Sequence, residues 1–114
     1  MEAGSFEIRG EQEGGQARLS LGGELDLASA PRLQRSAEKL LEGEPRRLVV
    51  DISDLSFIDS SGLRVLIGLH ERALREGWEF RVVRPPEQVL KIFQISGIDQ
   101  HLRFIDAPGA EEPA

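Results

Sequence analysis

The sequence predicts an α/β fold: one domain on a mixed four- to five-stranded sheet with parallel βα crossovers and three to four helices. Three observations lead there. Two N-terminal segments alternate apolar and polar residues across a glycine turn, the pattern of a half-buried antiparallel hairpin. Each later strand-like segment is reached through a stretch of helical periodicity, and helical crossovers join parallel neighbours with right-handed sense. The length, 114 residues, suits one core rather than two. A chain of this size buries roughly 65% of its unfolded surface and needs no disulfide or metal clip. The expected order is β-β-α-β-α-β-α-β over residues 1–106, with a small, acidic, disordered tail over residues 107–114.

The first strand is read from Phe6 and Ile8 against Glu7 and Arg9. After the turn at Glu13-Gly14-Gly15-Gln16, Ala17, Leu19 and Leu21 alternate with Arg18 and Ser20 to give its hairpin partner, and Gly22-Gly23-Glu24-Leu25-Asp26 leaves that strand. Ser29 before Ala30-Pro31 is a helix start, a hydroxyl cap with proline in the first turn. Leu33, Ala37, Leu40 and Leu41 form the apolar stripe of that helix, and Gly43 with Pro45 ends it near Glu42. Arg46 to Ile52 is a nearly continuous apolar run, expected as a strand covered on both faces.

Asp54 to Asp59 is read as a connector into the longest helix, which Ser60-Ser61-Gly62 opens and Gly77 follows. Trp78 to Val83 is a further strand, and Pro85-Pro86 forces a break. A short helix over Glu87 to Ile95 follows, with Val89, Leu90, Ile92 and Phe93 inside and Gly97 as terminator. Leu102 to Ile105 is a last brief strand.

Composition removes whole classes of function. There is no cysteine, which excludes disulfide scaffolds, Cys-ligated metal sites and thiol nucleophiles. Fourteen Lys and Arg against twenty Asp and Glu leave a net charge of −6, the wrong sign for a protein that gains its affinity by neutralising nucleic-acid phosphates. The longest apolar run, Val65 to Leu69, falls far short of the roughly 20 residues of a spanning helix. Met1 to Gly10 lacks the basic start and apolar middle of a signal peptide, so the expectation is a cytoplasmic protein with no nucleic-acid partner and no direct membrane insertion.

Catalytic equipment is sparse. The two histidines, His70 and His101, have no metal-spaced partner, and His70 is read as bordering the buried side of its helix between Leu66 and Leu74. No GxGxxG or GxxxxGK with Ser or Thr is present, and acidic pairs such as Asp51 with Asp54 have no acid–base partner. The expectation is a protein that is not an enzyme and carries no cofactor or metal.

The informative run is Leu55-Ser56-Phe57-Ile58-Asp59-Ser60-Ser61-Gly62-Leu63. Asp59 or Ser60 can cap the free amides of a helix start, and Gly62 leaves the first turn uncrowded. A hydroxyl there is also a favourable place for a phosphate, because free amides and the positive dipole end receive it. At 100° per residue, Ser60, Arg64, Gly68, Glu71 and Arg75 fall along one side of the helix, while Leu63, Leu66, Ile67, His70 and Leu74 point elsewhere. Gly68 in mid-helix costs roughly 1 kcal/mol against alanine, offset either by close packing inside or by a partner's approach outside. Its position on the polar side favours a docking surface.

With its surroundings, this run resembles the signature of the STAS domain, specifically of bacterial anti-sigma factor antagonists. Gly23-Glu24-Leu25-Asp26 followed by Ala30-Pro31, the strand Leu48-Val49-Val50-Asp51, and Ile95-Ser96-Gly97-Ile98 match as well, so that the resemblance spans about residues 4–106. It implies a partner switch. The unphosphorylated antagonist binds an anti-sigma factor that is also a serine kinase of the histidine-kinase-like ATPase fold, and the sigma factor is freed. The kinase phosphorylates the serine after the aspartate, and a PP2C-type serine phosphatase restores it. Carried over by position, the phosphosite is Ser60, with Ser61 as fallback, and Asp26 would lie close to the same helix start. The partner-binding set is then Asp26, Asp59, Ser60, Ser61, Gly62, Arg64, Gly68 and Glu71. Two other readings stay open: a STAS scaffold or accessory subunit of a stress-signalling or transport assembly, and a small nucleotide-binding protein.

Overall fold

The structure is a computed structural model that describes residues 5–107; the tail expected over 107–114 lies, apart from Ala107, outside the described residues. Strands β1 (Phe6–Glu13) and β2 (Gln16–Leu25) form the antiparallel hairpin, turning at Gly14-Gly15. Helix α1 (Ala30–Leu41) leads to β3 (Arg47–Ile58), α2 (Ser60–Glu76) to β4 (Glu79–Val83), and α3 (Glu87–Ser96), with a short 3₁₀ turn at Ile98–Gln100, to β5 (Phe104–Ile105). The strands lie in the order β1-β2-β3-β4-β5, and every pair after the hairpin is parallel. This is the predicted mixed sheet with its predicted crossovers.

Because each crossover advances one strand in the same direction, right-handed connections put all three helices on one face. The core follows from that. Ala30, Leu33, Ala37 and Leu41 of α1, Leu63, Leu66, Leu69 and Ala73 of α2, and Val89 and Phe93 of α3 pack onto alternate residues of the strands, among them Leu19, Leu48, Val50, Ile52 and Val82. Burying each such Leu, Ile or Val side chain is worth about 1.5–3 kcal/mol. Arg72 of α2 ties the helices together at their polar edge, binding Glu38 of α1 at 2.6 Å and Glu76 at 2.9 Å. That ion pair holds the Glu38 carboxyl below the usual range.

The apolar run of β3 is covered on both faces, as its sequence suggested: Leu48, Val49 and Val50 are all buried, but the helices cover only one face. Val49 packs on the opposite face in a small cluster with Val83 and Ile105. Its direct neighbours across the sheet are Arg18 and Arg81, half-buried side chains whose aliphatic stems can shield an apolar residue.

Two strands run further than the sequence suggested. β2 continues through Gly22-Gly23 to Leu25, and β3 continues through the expected connector to Ile58, with register irregularities beside Gly22 and Gly23. The glycines were read as leaving the strand, but they keep regular register with β1, and the extra residues at the two irregularities lie on β3. Gly23 has φ +85°, and a Cβ on it would sit 2.0 Å from the Ser5 carbonyl oxygen. The extension delivers Asp59 to the end of β3 beside Asp26.

Helix ends and faces also differ in part. Gly77 and Gly97 close α2 and α3 in the left-handed conformation, as read from sequence. After α1 the left-handed residue is Glu44 at φ 50°, not Gly43. Leu74 is 73% exposed and Ile92 38% exposed, so neither belongs to the core face assigned to it; Leu74 stands only about 40° from Ser60 around the helix, Ala73 is buried beside it, and Phe93 is buried as expected. A hydrophobic side chain one residue off the buried stripe is rotated 100° away from it.

Candidate functional site

The C-terminal edge of the parallel strands is where open α/β sheets usually place their sites, and the two ends that matter are locked together. Leu25 pairs with Ile58, and the Asp59 amide donates to the Leu25 carbonyl at 3.1 Å. The residues that follow each strand, Asp26 and Asp59, therefore emerge side by side, as the sequence reading placed them.

Asp26 is engaged in its own turn. Its Oδ1 accepts from the amides of Ala28 at 3.0 Å and Ser29 at 3.1 Å. The Ser29 hydroxyl accepts from the Asp26 amide at 2.9 Å, donates to the Glu24 carbonyl at 2.8 Å and lies 3.1 Å from Asp26 Oδ1. The Ser29 amide, then its hydroxyl, hold the Asp26 carboxyl below its usual range. Ser29 was read as a side-chain cap of α1. It stands at the N-cap position but makes no side-chain cap, because its hydroxyl is spent on the strand end behind it.

Asp59 caps α2. Extended at φ −119° and ψ −172°, it turns its carboxylate back so that Oδ1 accepts from the Ser61 amide at 2.8 Å and, at the longer 3.4 Å, from the Gly62 amide. Of the two candidate caps, the aspartate takes the role. Ser60 is left as the first helical residue, exposed, with a hydroxyl that makes no hydrogen bond among the described residues. Ser61 is half-buried.

Down the same side of α2, Arg64, Gly68, Glu71 and Arg75 are all exposed. A Cβ on Gly68 would meet nothing within 4 Å, so no close packing among the described residues offsets the cost of that glycine. Gly62 is the exception in the predicted partner-binding set. It is buried, and a Cβ there would stand 2.6 Å from Leu25 Cγ and 2.9 Å from Ile58 Cγ1. Gly62 seats the first turn of α2 against the ends of β2 and β3, and it does not belong to the exposed face.

Two apolar residues beside the site escaped the sequence reading. Leu27, in the turn after Asp26, is 76% exposed, and Phe57, two residues before Asp59, is 46% exposed. Leu27 interrupts an otherwise polar turn, which was a legible signal; Phe57 is displaced outward at the register irregularity opposite Glu24, which was not. Among the described residues no three His, Asp or Glu side chains converge as a metal site. No described helix is long and apolar enough to cross a membrane.

A family model described as Mlab, STAS domain, matches residues 8–105. The chain belongs to the STAS domain family. Within it, the chain groups with the anti-sigma factor antagonists. It is 31% identical over 90 residues to the anti-sigma-F factor antagonist RsfB of Mycobacterium tuberculosis, spanning 79% of this chain and 73% of that one. Against the anti-sigma-B factor antagonist of Bacillus subtilis the identity is 27% over 88 residues, 77% of this chain and 80% of the relative. The crystal structure of an anti-sigma factor antagonist from Mycobacterium paratuberculosis superimposes with a TM-score of 0.81 at 26% identity, over 91% of this chain and 88% of that one. SpoIIAA, an anti-sigma factor antagonist solved in its unphosphorylated form, shares the fold at a TM-score of 0.74 and 21% identity, over 87% of this chain and 88% of that one.

Proposed function

We propose that this STAS domain is the phosphorylation-controlled element of a partner switch, a cytoplasmic regulator that is substrate and ligand of enzymes and performs no catalysis itself. Unphosphorylated, it binds an anti-sigma factor that is also a serine kinase of the histidine-kinase-like ATPase fold, and the sigma factor is released. The kinase transfers the γ-phosphoryl group of ATP to Ser60: the Oγ–P bond forms, the bond to the leaving ADP breaks, and the hydroxyl proton is lost. A PP2C-type phosphatase reverses the modification. The observation that supports this reading best is the state of Ser60, an exposed and uncommitted hydroxyl at the start of a helix whose exposed side also carries Arg64, Gly68, Glu71 and Arg75. The names of the relatives agree with it, and SpoIIAA, a fold neighbour, has been solved in its phosphorylated form too.

The helix start tolerates the modification, since an anion there is favourable by about 0.3–1 kcal/mol. Phosphate adds about −1.5 to −2 charges, and the fold should survive it. The effect is then on docking, where a hundredfold loss of affinity needs only roughly 2.7 kcal/mol. A desolvated or like-charge-opposed phosphate supplies that.

The test is intact-mass and peptide-mapping analysis after incubation with ATP and each candidate anti-sigma kinase of the source genome. One phosphoryl group on Ser60, absent in Ser60→Ala and accompanied by loss of kinase binding, is the expected result. Modification of Ser61 in its place would move the site, and no modification by any candidate would overturn the reading. A second reading, an accessory subunit of a scaffold or transport assembly, is favoured by the Mlab description of the matching family model. Co-purification with membrane components would support it.

A further inference from the structure

We infer that Arg64 captures the phosphate on Ser60, so that phosphorylation withdraws a free cation from the exposed side of α2 as well as adding negative charge there. The inference rests on Ser60 as the phosphosite and adds to it the residue that responds.

Four observations point to Arg64. It lies four residues after Ser60 in α2, a rotation only 40° from eclipse and about 6 Å along the axis, so the two share one side of the helix. Side chains in a helix lean toward its N-terminus, which carries the Arg64 stem back over the turn that holds Ser60. Both residues are exposed, and Arg64 makes no ion pair or hydrogen bond among the described residues, in contrast to Arg72, which is held by Glu38 and Glu76. One turn further on is Gly68, with no side chain to hold the guanidinium in the other direction.

The opposite side of Ser60 repels a phosphate. The Asp59 carboxylate already occupies the amides of Ser61 and Gly62, and Asp26 stands at the neighbouring strand end. A phosphate dianion is driven from these carboxylates toward Arg64, one helical turn away, where the guanidinium can bind it through two parallel N–H···O bonds. Phosphorylation then both introduces a charge and removes Arg64 from contact with a docked partner.

The test uses the full chain with phosphoserine installed at position 60 during synthesis, followed by phosphorus NMR titration together with the nitrogen-15 signal of the Arg64 Nε–H. A cation that pairs with the dianion lowers the titration midpoint. Arg64→Ala should therefore raise it by about 0.3 pH unit, Arg64→Lys should restore at least half of the difference, and Arg75→Ala should leave it unchanged. The Arg64 Nε–H signal should shift between the serine and phosphoserine forms. An equal midpoint in the parent and Arg64→Ala, or the same rise in Arg75→Ala, overturns the inference. Because the phosphate is built in, this result is independent of any kinase. Failure of phosphoryl transfer to Ser60 would overturn the functional reading alone, and an unmoved midpoint the capture alone.

Discussion

The starts of α1 and α2 are built from similar residues and do opposite things. Each follows a parallel strand through an aspartate and a serine: Asp26 and Ser29 before α1, Asp59 and Ser60 at α2. At α1 the serine is 5% exposed and its hydroxyl is bound to the Glu24 carbonyl and the Asp26 amide. At α2 the aspartate itself is the cap, and the serine is exposed and unengaged. The third helical residues are reversed as well: Arg32 lies exposed over the Phe6 ring, while Gly62 is buried against Leu25 and Ile58. A serine at a helix start is thus not by itself a free hydroxyl; its surroundings decide whether it is engaged.

Substitutions at the two starts should separate these roles, the largest effect coming from the buried glycine. Gly62→Val places branched carbons where even a Cβ has 2.6 Å of room, and a loss of about 3 kcal/mol is expected in urea unfolding. A loss near zero would mean that α2 is not seated by contact at that turn. Ser29→Ala should cost about 1–2 kcal/mol, because it removes the partner of the Asp26 amide and the Glu24 carbonyl in a part-buried turn. Ser60→Ala should change stability by less than about 0.5 kcal/mol while removing the proposed phosphosite. Equal costs for the two serines would erase the distinction between the starts. Asp59→Ala should cost about 1 kcal/mol as a lost N-cap, and the NMR signals of the Ser61 and Gly62 amides should report it directly.

The smallest effect is in acid. The Asp26 carboxyl is held below its ordinary value of 3.8 chiefly by the Ser29 amide. A carboxyl with a lowered pKa in the folded protein contributes its full stability above the ordinary value and loses it as pH falls through the folded one. Asp26→Asn should therefore flatten the fall of stability below about pH 4 and leave the curve above about pH 5 parallel to that of the parent. A slope unchanged below pH 4 would show that the turn does not depend on the charge.

The order of elements was legible because it rests on local periodicity: the alternation over Phe6–Ile8 and Ala17–Leu21, the helical stripes, and the glycines at 77 and 97. The errors fall where a residue's partner is distant in sequence. Gly22-Gly23 looked like a strand end and lies inside β2, in register with Glu7 and Phe6 of β1, where the Ser5 carbonyl leaves no room for a side chain at Gly23. Leu74 and Ile92 looked like core and stand outside, because the buried stripes of α2 and α3 run through Ala73 and Phe93. At the candidate site, Asp59, Ser60, Arg64, Gly68 and Glu71 were legible as one capped start and one helical side. The burial of Gly62 and the exposure of Leu27 and Phe57 were not, since β2 and β3 decide them.

By itself the sequence determined that the chain is one α/β domain, that its second half is wound through parallel crossovers, and that a capped helix carries hydroxyls at its start. Those are consequences of residue spacing and of intrinsic backbone preference, which act within a few residues. Only the tertiary structure decided which hydroxyl is free. The Leu25–Ile58 pairing and the bond from the Asp59 amide to the Leu25 carbonyl bring two strand ends together, and the contacts formed there engage Ser29 and bury Gly62. Ser60 is left exposed because, among the described residues, no strand end, turn or neighbouring helix engages its hydroxyl.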